Sequence, residues 1–122
     1  MQAQTTQLKN AQETYIILKA KKEWLQQQTD LLNAPLYEMV DAGQISDDEW
    51  ATKVTNNEFK TGLNAAKTEL YKAESNLITI AKTVVQKQAT PAQWAEMQIV
   101  WDSKRLSVRE KVVELVLQLK ED

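Results

Sequence analysis

The sequence predicts an all-α fold: an elongated, three-helix, up-down-up coiled bundle with a short extra helix between helices 1 and 3. The chain has only 2 Gly and 2 Pro among its 122 residues, which is too few turn residues for a sheet protein. Apolar residues recur every three or four positions over long segments, the spacing of amphipathic helices. The length suits one packed domain spanning residues 1–122.

Helix 1 is predicted over residues 4–33, because its apolar residues follow a heptad-like spacing. Pro35 is expected to end this helix, since the residue before a proline is pushed out of the helical conformation. The same proline suits the first turn of a short helix over residues 35–42. Gly43 can then supply the left-handed residue that ends the short helix.

Helix 3 is predicted over residues 47–88, with an apolar seam in alternating steps of four and three residues. Its start carries the capping-box pattern, in which Ser46 and Glu49 satisfy each other's backbone N–H groups. Gly62 lies inside the predicted helix, where it costs about 1 kcal/mol relative to alanine. We interpret this glycine as a close helix contact or a mild bend.

Helix 4 is predicted over residues 91–120. Thr90, Pro91 and Gln93 give it a threonine cap, a proline in the first turn and a glutamine at the third position. Since almost no residues separate helices 3 and 4, we expect these two helices to form a tight antiparallel hairpin.

Helix 4 also carries a second apolar set, roughly 155° around the helix from its main seam. The set is Ile99, Leu106, Val113 and Leu117. One interpretation is a partner-binding or self-association face. The alternative is that helix 4 is central and both of its faces are buried within the chain, since an apolar patch is diagnostic only when exposed.

The second apolar sets of helices 1 and 3 lie roughly 100–130° from their first sets. They are Ile17, Trp24 and Leu31 in helix 1, and Tyr71, Ile78 and Val85 in helix 3. One wide buried face accounts for each of these sets. We also expect the 4 tryptophans, including Trp24, to be core residues.

A further apolar group surrounds the start of helix 3 and is a secondary candidate for partner binding. Its members are Leu36, Tyr37, Met39, Val40 and Trp50. The simpler interpretation, which we favour, is a small satellite core beneath a loop, because each residue has a local partner to pack on.

The composition argues against catalysis, metal binding and cofactor binding. With 0 Cys and 0 His, the chain lacks thiol nucleophiles, imidazole bases and the usual transition-metal ligands. The acidic run at residues 47–49 is explained by a helix N-terminus, where negative charge is stabilising. No glycine-rich loop could cradle a phosphate, since Gly43 and Gly62 are isolated from each other. We therefore expect no enzyme and no small-molecule substrate.

The leading functional hypothesis is a helical protein–protein interaction module: a scaffold, adaptor or assembly chaperone that binds another protein or forms a homodimer. An alternative is a nucleic-acid-associated protein using the basic clusters at residues 19–22 and 104–111. The sequence pI of about 5.3 is unlike that of such binders. A small inhibitor or regulator of a larger enzyme is a third possibility. Without a signal-peptide or transmembrane pattern, the default compartment is the cytoplasm.

Overall fold

The computed structural model describes residues 2–119, with side chains from residue 7 onward. Over these residues the chain forms five α-helices and no strand, which confirms the predicted all-α class. The helices are α1 (Gln2–Asp41), α2 (Asp47–Thr61), α3 (Leu63–Gln88), α4 (Pro91–Trp101) and α5 (Leu106–Gln118). Each of the three long predicted helices has different bounds in the structure, and each difference has a local cause.

The first difference is that α1 continues through Pro35. The prediction of a helix ending at residue 33 and a separate helix over residues 35–42 is therefore wrong. Proline removes the hydrogen bond to the carbonyl oxygen of Leu31, but both residues lie on the exposed side of the helix, where water can hydrate that oxygen. The helix ends as the sequence predicts, at a left-handed Gly43 with φ 72°.

The second difference is that predicted helix 3 is two helices, separated by Gly62. Ser46 caps the start of α2, where its hydroxyl accepts a hydrogen bond from the Glu49 backbone N–H at 3.1 Å. Gly62 has φ 84° and its N–H donates to the Phe59 carbonyl, so α2 ends there and α3 begins at the next residue. The interpretation of this glycine as a mild bend inside one helix is wrong, because a left-handed residue interrupts the helical hydrogen-bond pattern.

The third difference is that predicted helix 4 is interrupted over residues 102–105 and gives α4 and α5. Thr90 and Gln93 form the predicted capping box at the start of α4. The interruption begins at Asp102, and the Ser103 hydroxyl accepts a hydrogen bond from the Arg105 backbone N–H at 3.2 Å. Short polar side chains compete in this way with helical hydrogen bonds. The predicted end at residue 120 lies outside the described residues.

The described chain falls into two compact units, which are considered separately. The terminal unit comprises residues 2–16 and 72–119. Its buried apolar residues come from α1, α3 and α5: Leu8, Ala11, Tyr15, Leu77, Ile78, Ala81, Val112, Val113 and Val116. The Gln12 side-chain amide donates to the carbonyl oxygens of Val116 and Leu119, at 2.8 and 3.0 Å. The Val116 carbonyl also accepts from the Leu119 backbone N–H, so the Gln12 amide gives it a second hydrogen bond and supplies one to the Leu119 carbonyl at the end of α5.

The hairpin unit comprises residues 17–71, in which α1 packs against α2 and the start of α3. Leu63 and Ala66 are buried apolar residues of this unit. Two polar residues of α1, Thr29 and Asn33, are also buried, with 0% and 4% of their surface exposed. Burying a polar group costs free energy unless it is hydrogen-bonded, so both require partners within the unit.

Both buried polar residues find those partners on α2. The hydroxyls of Thr29 and Thr61 are 2.7 Å apart, and the Asn57 amide donates to the Asn33 side-chain oxygen at 2.9 Å. Thr29 also donates to the carbonyl of Leu25 at 2.8 Å. We call these two side-chain pairs the polar layer. They set both the register of α1 against α2 and the rotation of α1 about its own axis, because a shift of either helix would leave buried polar atoms unpaired.

The backbone conformation of Gly62 predicts the effect of replacing it. Gly62→Ala should reduce the free energy of unfolding by about 1 kcal/mol, since alanine is disfavoured in the left-handed region. No atom lies within 4 Å of the added Cβ, so the cost is one of backbone conformation. Urea unfolding measures it, and Gly62→Asn should cost less because asparagine tolerates this region. An increase in stability with alanine would instead indicate an uninterrupted helix over residues 47–88.

The polar layer predicts a coupling between Asn33 and Asn57. Asn33→Leu should cost about 1–3 kcal/mol, because it leaves the Asn57 amide unpaired. Adding Asn57→Leu should recover part of that loss, since no unpaired amide remains. A double-mutant cycle measured by urea unfolding gives the coupling. Asn56→Leu, at an exposed position of the same helix, serves as the control, and additive effects of the two substitutions would contradict the pairing.

Candidate protein-interaction surface

The four residues of the predicted partner-binding face lie on two helices with different burial. Ile99 on α4 is 78% exposed and Leu106 on α5 is 71% exposed. Val113 is only 5% exposed, as part of the terminal unit's core, and Leu117 is half-buried. The expectation of one continuous stripe is wrong, because it required an uninterrupted helix. Partner binding by the two exposed residues stays a prediction.

Side-chain contacts hold the segment between α4 and α5 against α3. Lys82 of α3 forms an ion pair with Asp102, and Arg109 of α5 pairs with Glu74 of α3. Arg109 also donates to the Ser75 hydroxyl at 2.9 Å. The exposed residues Ile99 and Leu106 therefore flank a turn that is fixed on both sides. We call Ile99 and Leu106, together with the half-exposed Val100, the corner surface.

The ion pair at this turn also affects the titration of its carboxyl group. The hydrogen bond from the Lys82 ammonium lowers the pKa of Asp102, and the positive charge of Lys82 acts in the same direction. A carboxyl whose pKa is lowered by folding stabilises the native state at pH above its unfolded pKa, and loses that contribution as pH falls through the native one. The stabilising contribution of this ion pair is therefore present at neutral pH and is lost in acid.

The secondary candidate group contains a direct aromatic contact within the hairpin unit. The rings of Tyr37 and Trp50 have centroids 5.6 Å apart and planes inclined at 51°. Leu36, Met39 and Val40 are half-buried, whereas Tyr37 is 51% exposed. These observations support the interpretation as a satellite core, and a partner-binding role for the group stays a prediction.

An exposed apolar stripe on α1 is the main feature that the sequence analysis missed. Ile17, Trp24 and Leu31 are 66%, 59% and 69% exposed. The expectation that these residues belong to one wide buried face, and that Trp24 is a core residue, is therefore wrong. Trp50, Trp94 and Trp101 are half-buried. The position of Trp24 is about 180° around the helix from that of Asn33, and the burial of Asn33, which the structure shows, explains why Trp24 is exposed.

The second apolar set of predicted helix 3 is divided between the two units. Tyr71 is 63% exposed, whereas Ile78 is 7% exposed and Val85 is half-buried. The prediction that these residues are buried is therefore confirmed for Ile78, holds in part for Val85 and is wrong for Tyr71.

The two basic clusters contain cations that already have carboxylate partners. The Lys21 ammonium lies 3.7 Å from the Glu69 carboxylate, and Arg109 pairs with Glu74. Exposed cations such as Lys19 and Lys104 remain in each cluster. Pairing reduces the positive charge that each segment offers to a phosphate backbone.

A polar groove lies between α1 and α3 in the terminal unit. Gln7, Asn10, Thr14 and Asn76 supply its amide and hydroxyl groups. Ala11, Ala73 and Ile80 complete the lining. These groups can donate and accept hydrogen bonds but do not titrate near neutral pH. The groove therefore has hydrogen-bonding capacity without an acid or base.

Among the described residues, no three side chains of the metal-ligating types come close enough together to hold a metal ion. None of the described helices is both long enough and apolar enough to cross a membrane.

Comparisons with protein-family models, with curated proteins and with solved structures find no match to this chain.

Proposed function

We propose that the protein is a cytoplasmic, non-catalytic helical module that binds another protein, or a second copy of itself, through coiled-coil-like apolar residues of its C-terminal region. A scaffold, an adaptor and an assembly chaperone all fit this description. The observation that carries the proposal is the exposure of Ile99 and Leu106 on either side of a turn that ion pairs hold in place.

The fixed turn matters because ordering a surface during binding costs free energy. Flexible side chains and loops lose conformational freedom when they bind, and this loss opposes association. Lys82 and Glu74 of α3 anchor the two ends of the turn in the free protein. The corner surface is therefore ordered before it meets a partner, and apolar area buried there contributes more fully to affinity.

A regulator that inhibits a larger enzyme would use the same kind of surface and belongs to the same proposal. The nucleic-acid alternative is supported less well, because Lys21 and Arg109 are each paired with a carboxylate.

The proposal predicts the effect of charged substitutions at the corner surface. Ile99→Glu with Leu106→Glu should weaken association by roughly tenfold or more, since an unpaired carboxylate buried in an apolar contact costs free energy. Solution mass, measured by light scattering over a wide concentration range, reports self-association. Cross-linking followed by mass spectrometry in a cell extract reports binding to another protein. Both side chains are exposed, so helicity and unfolding free energy should change little.

The matched control is Ala92→Glu with Ser107→Glu, which adds the same charge at exposed positions of the same two helices. It should associate like the wild type. If the wild type is monomeric at all concentrations and its cross-linked proteins are the same as those of the Ile99/Leu106 variant, the corner surface is not a binding site. A loss of helicity in the double variant would show that these residues are core.

A further inference from the structure

The stripe on α1 repeats a large apolar side chain every seven residues, and the hairpin unit leaves it uncovered. Ile17, Trp24 and Leu31 are spaced seven residues apart, and Ala20 lies between the first two and is also exposed. A seven-residue repeat of apolar side chains is the pattern that packs against another helix. We call these four residues the outer stripe.

The outer stripe faces away from the core of its unit. On an α-helix, the position of Trp24 is about 140° from that of Thr29 and about 180° from that of Asn33. These two polar residues are buried against α2 by their hydrogen bonds to Thr61 and Asn57. Rotating α1 to bury the stripe would break both contacts, so α2 cannot cover it within the hairpin unit.

Carboxylates border one edge of the outer stripe. Glu23 and Asp30 each precede a stripe residue by one position, about 100° around the helix, and both are exposed. Asp30 accepts a hydrogen bond from the Gln26 amide at 3.0 Å, which leaves its negative charge in place. The cation near the opposite edge, Lys21, is paired with Glu69. Lys19 also precedes a stripe residue, Ala20, by one position and is exposed. This edge of the stripe therefore carries two carboxylates and one ammonium, with a net charge of −1.

We propose that the outer stripe docks an amphipathic helix of a partner protein, with apolar residues repeating every seven positions and lysine or arginine along one edge. In a coiled coil, charged residues beside the apolar seam determine which partner is accepted. A basic edge would place opposite charges next to both Glu23 and Asp30. This surface is distinct from the corner surface and does not require Ile99 or Leu106.

A second copy of the chain is a poorer occupant on the same electrostatic grounds. In an antiparallel pair, a two-fold axis near Trp24 would bring Glu23 beside the same glutamate of the other copy. In a parallel pair, Glu23 would face Gln28, which offers no charge. Neither arrangement neutralises the acidic edge.

The experiment uses two synthetic helical peptides with the same leucine and isoleucine seam, one with a lysine edge and the other with a glutamate edge. Fluorescence anisotropy of the labelled peptides measures binding to the full chain. The lysine-edged peptide should bind roughly tenfold more tightly, because two attractive contacts replace two repulsive ones. Added salt should reduce this difference, since both contacts are exposed.

Three variants test which residues carry the binding. Glu23→Lys with Asp30→Lys should reverse the peptide preference. Trp24→Lys should abolish binding of both peptides, with Leu31→Lys as a second variant if the first does not fold. Phe59→Lys on α2 is the matched control, because this aromatic side chain is 68% exposed in the same unit. It should bind the lysine-edged peptide like the wild type.

Equal affinity for the two peptides, no reversal by the charge swap, or undiminished binding to Trp24→Lys would overturn the proposal. So would a concentration-dependent solution mass that Trp24→Lys removes, because the occupant would then be a second copy. The Ile99→Glu, Leu106→Glu variant should still bind the lysine-edged peptide. The experiments therefore distinguish a failure of the proposed function, which depends on the corner surface, from a failure of the proposal for the outer stripe.

Discussion

The need to pair buried polar groups on α1 determines which side of that helix faces its neighbour. Apolar residues alone do not determine how α1 is rotated about its axis in the hairpin unit, because α1 carries apolar side chains on two opposite sides. Thr29 and Asn33 are buried and bonded to α2. Polar residues in a helix interface specify register at some cost in stability. Here their consequence is functional, since the opposite side of the helix, which includes Trp24, remains exposed.

In the terminal unit, the corresponding constraint is the turn at residues 102–105. An uninterrupted helix would keep Ile99 and Leu106 in phase with Val113, whereas the turn lets Val113 enter the core while the other two remain exposed. The contacts of Lys82 and Arg109 with their carboxylate partners hold this turn. In both units, then, polar contacts determine which apolar residues are buried and which are available for binding.

The sequence was sufficient for the helical class and for helix starts that depend on local chemistry, as at Ser46 and Thr90. It was insufficient where a local signal competed with apolar periodicity. Gly62 ends a helix although the seam continues across it, and Pro35 does not end one because its side of α1 is exposed. The exposure of Trp24 depended on which of two apolar sides would be buried, and heptad spacing does not say which chain covers a seam.

The most direct test is to compare the solvent accessibility of the outer stripe with that of a buried residue in the same unit. The chain has 0 Cys, so a single introduced thiol can be followed by its rate of reaction with a thiol reagent. Trp24→Cys and Leu31→Cys should react rapidly at every protein concentration, while Ala66→Cys, at a position 2% exposed in the same unit, should be protected. Protection at residue 24 equal to that at residue 66 would contradict the account, because the outer stripe would then be covered in the free protein.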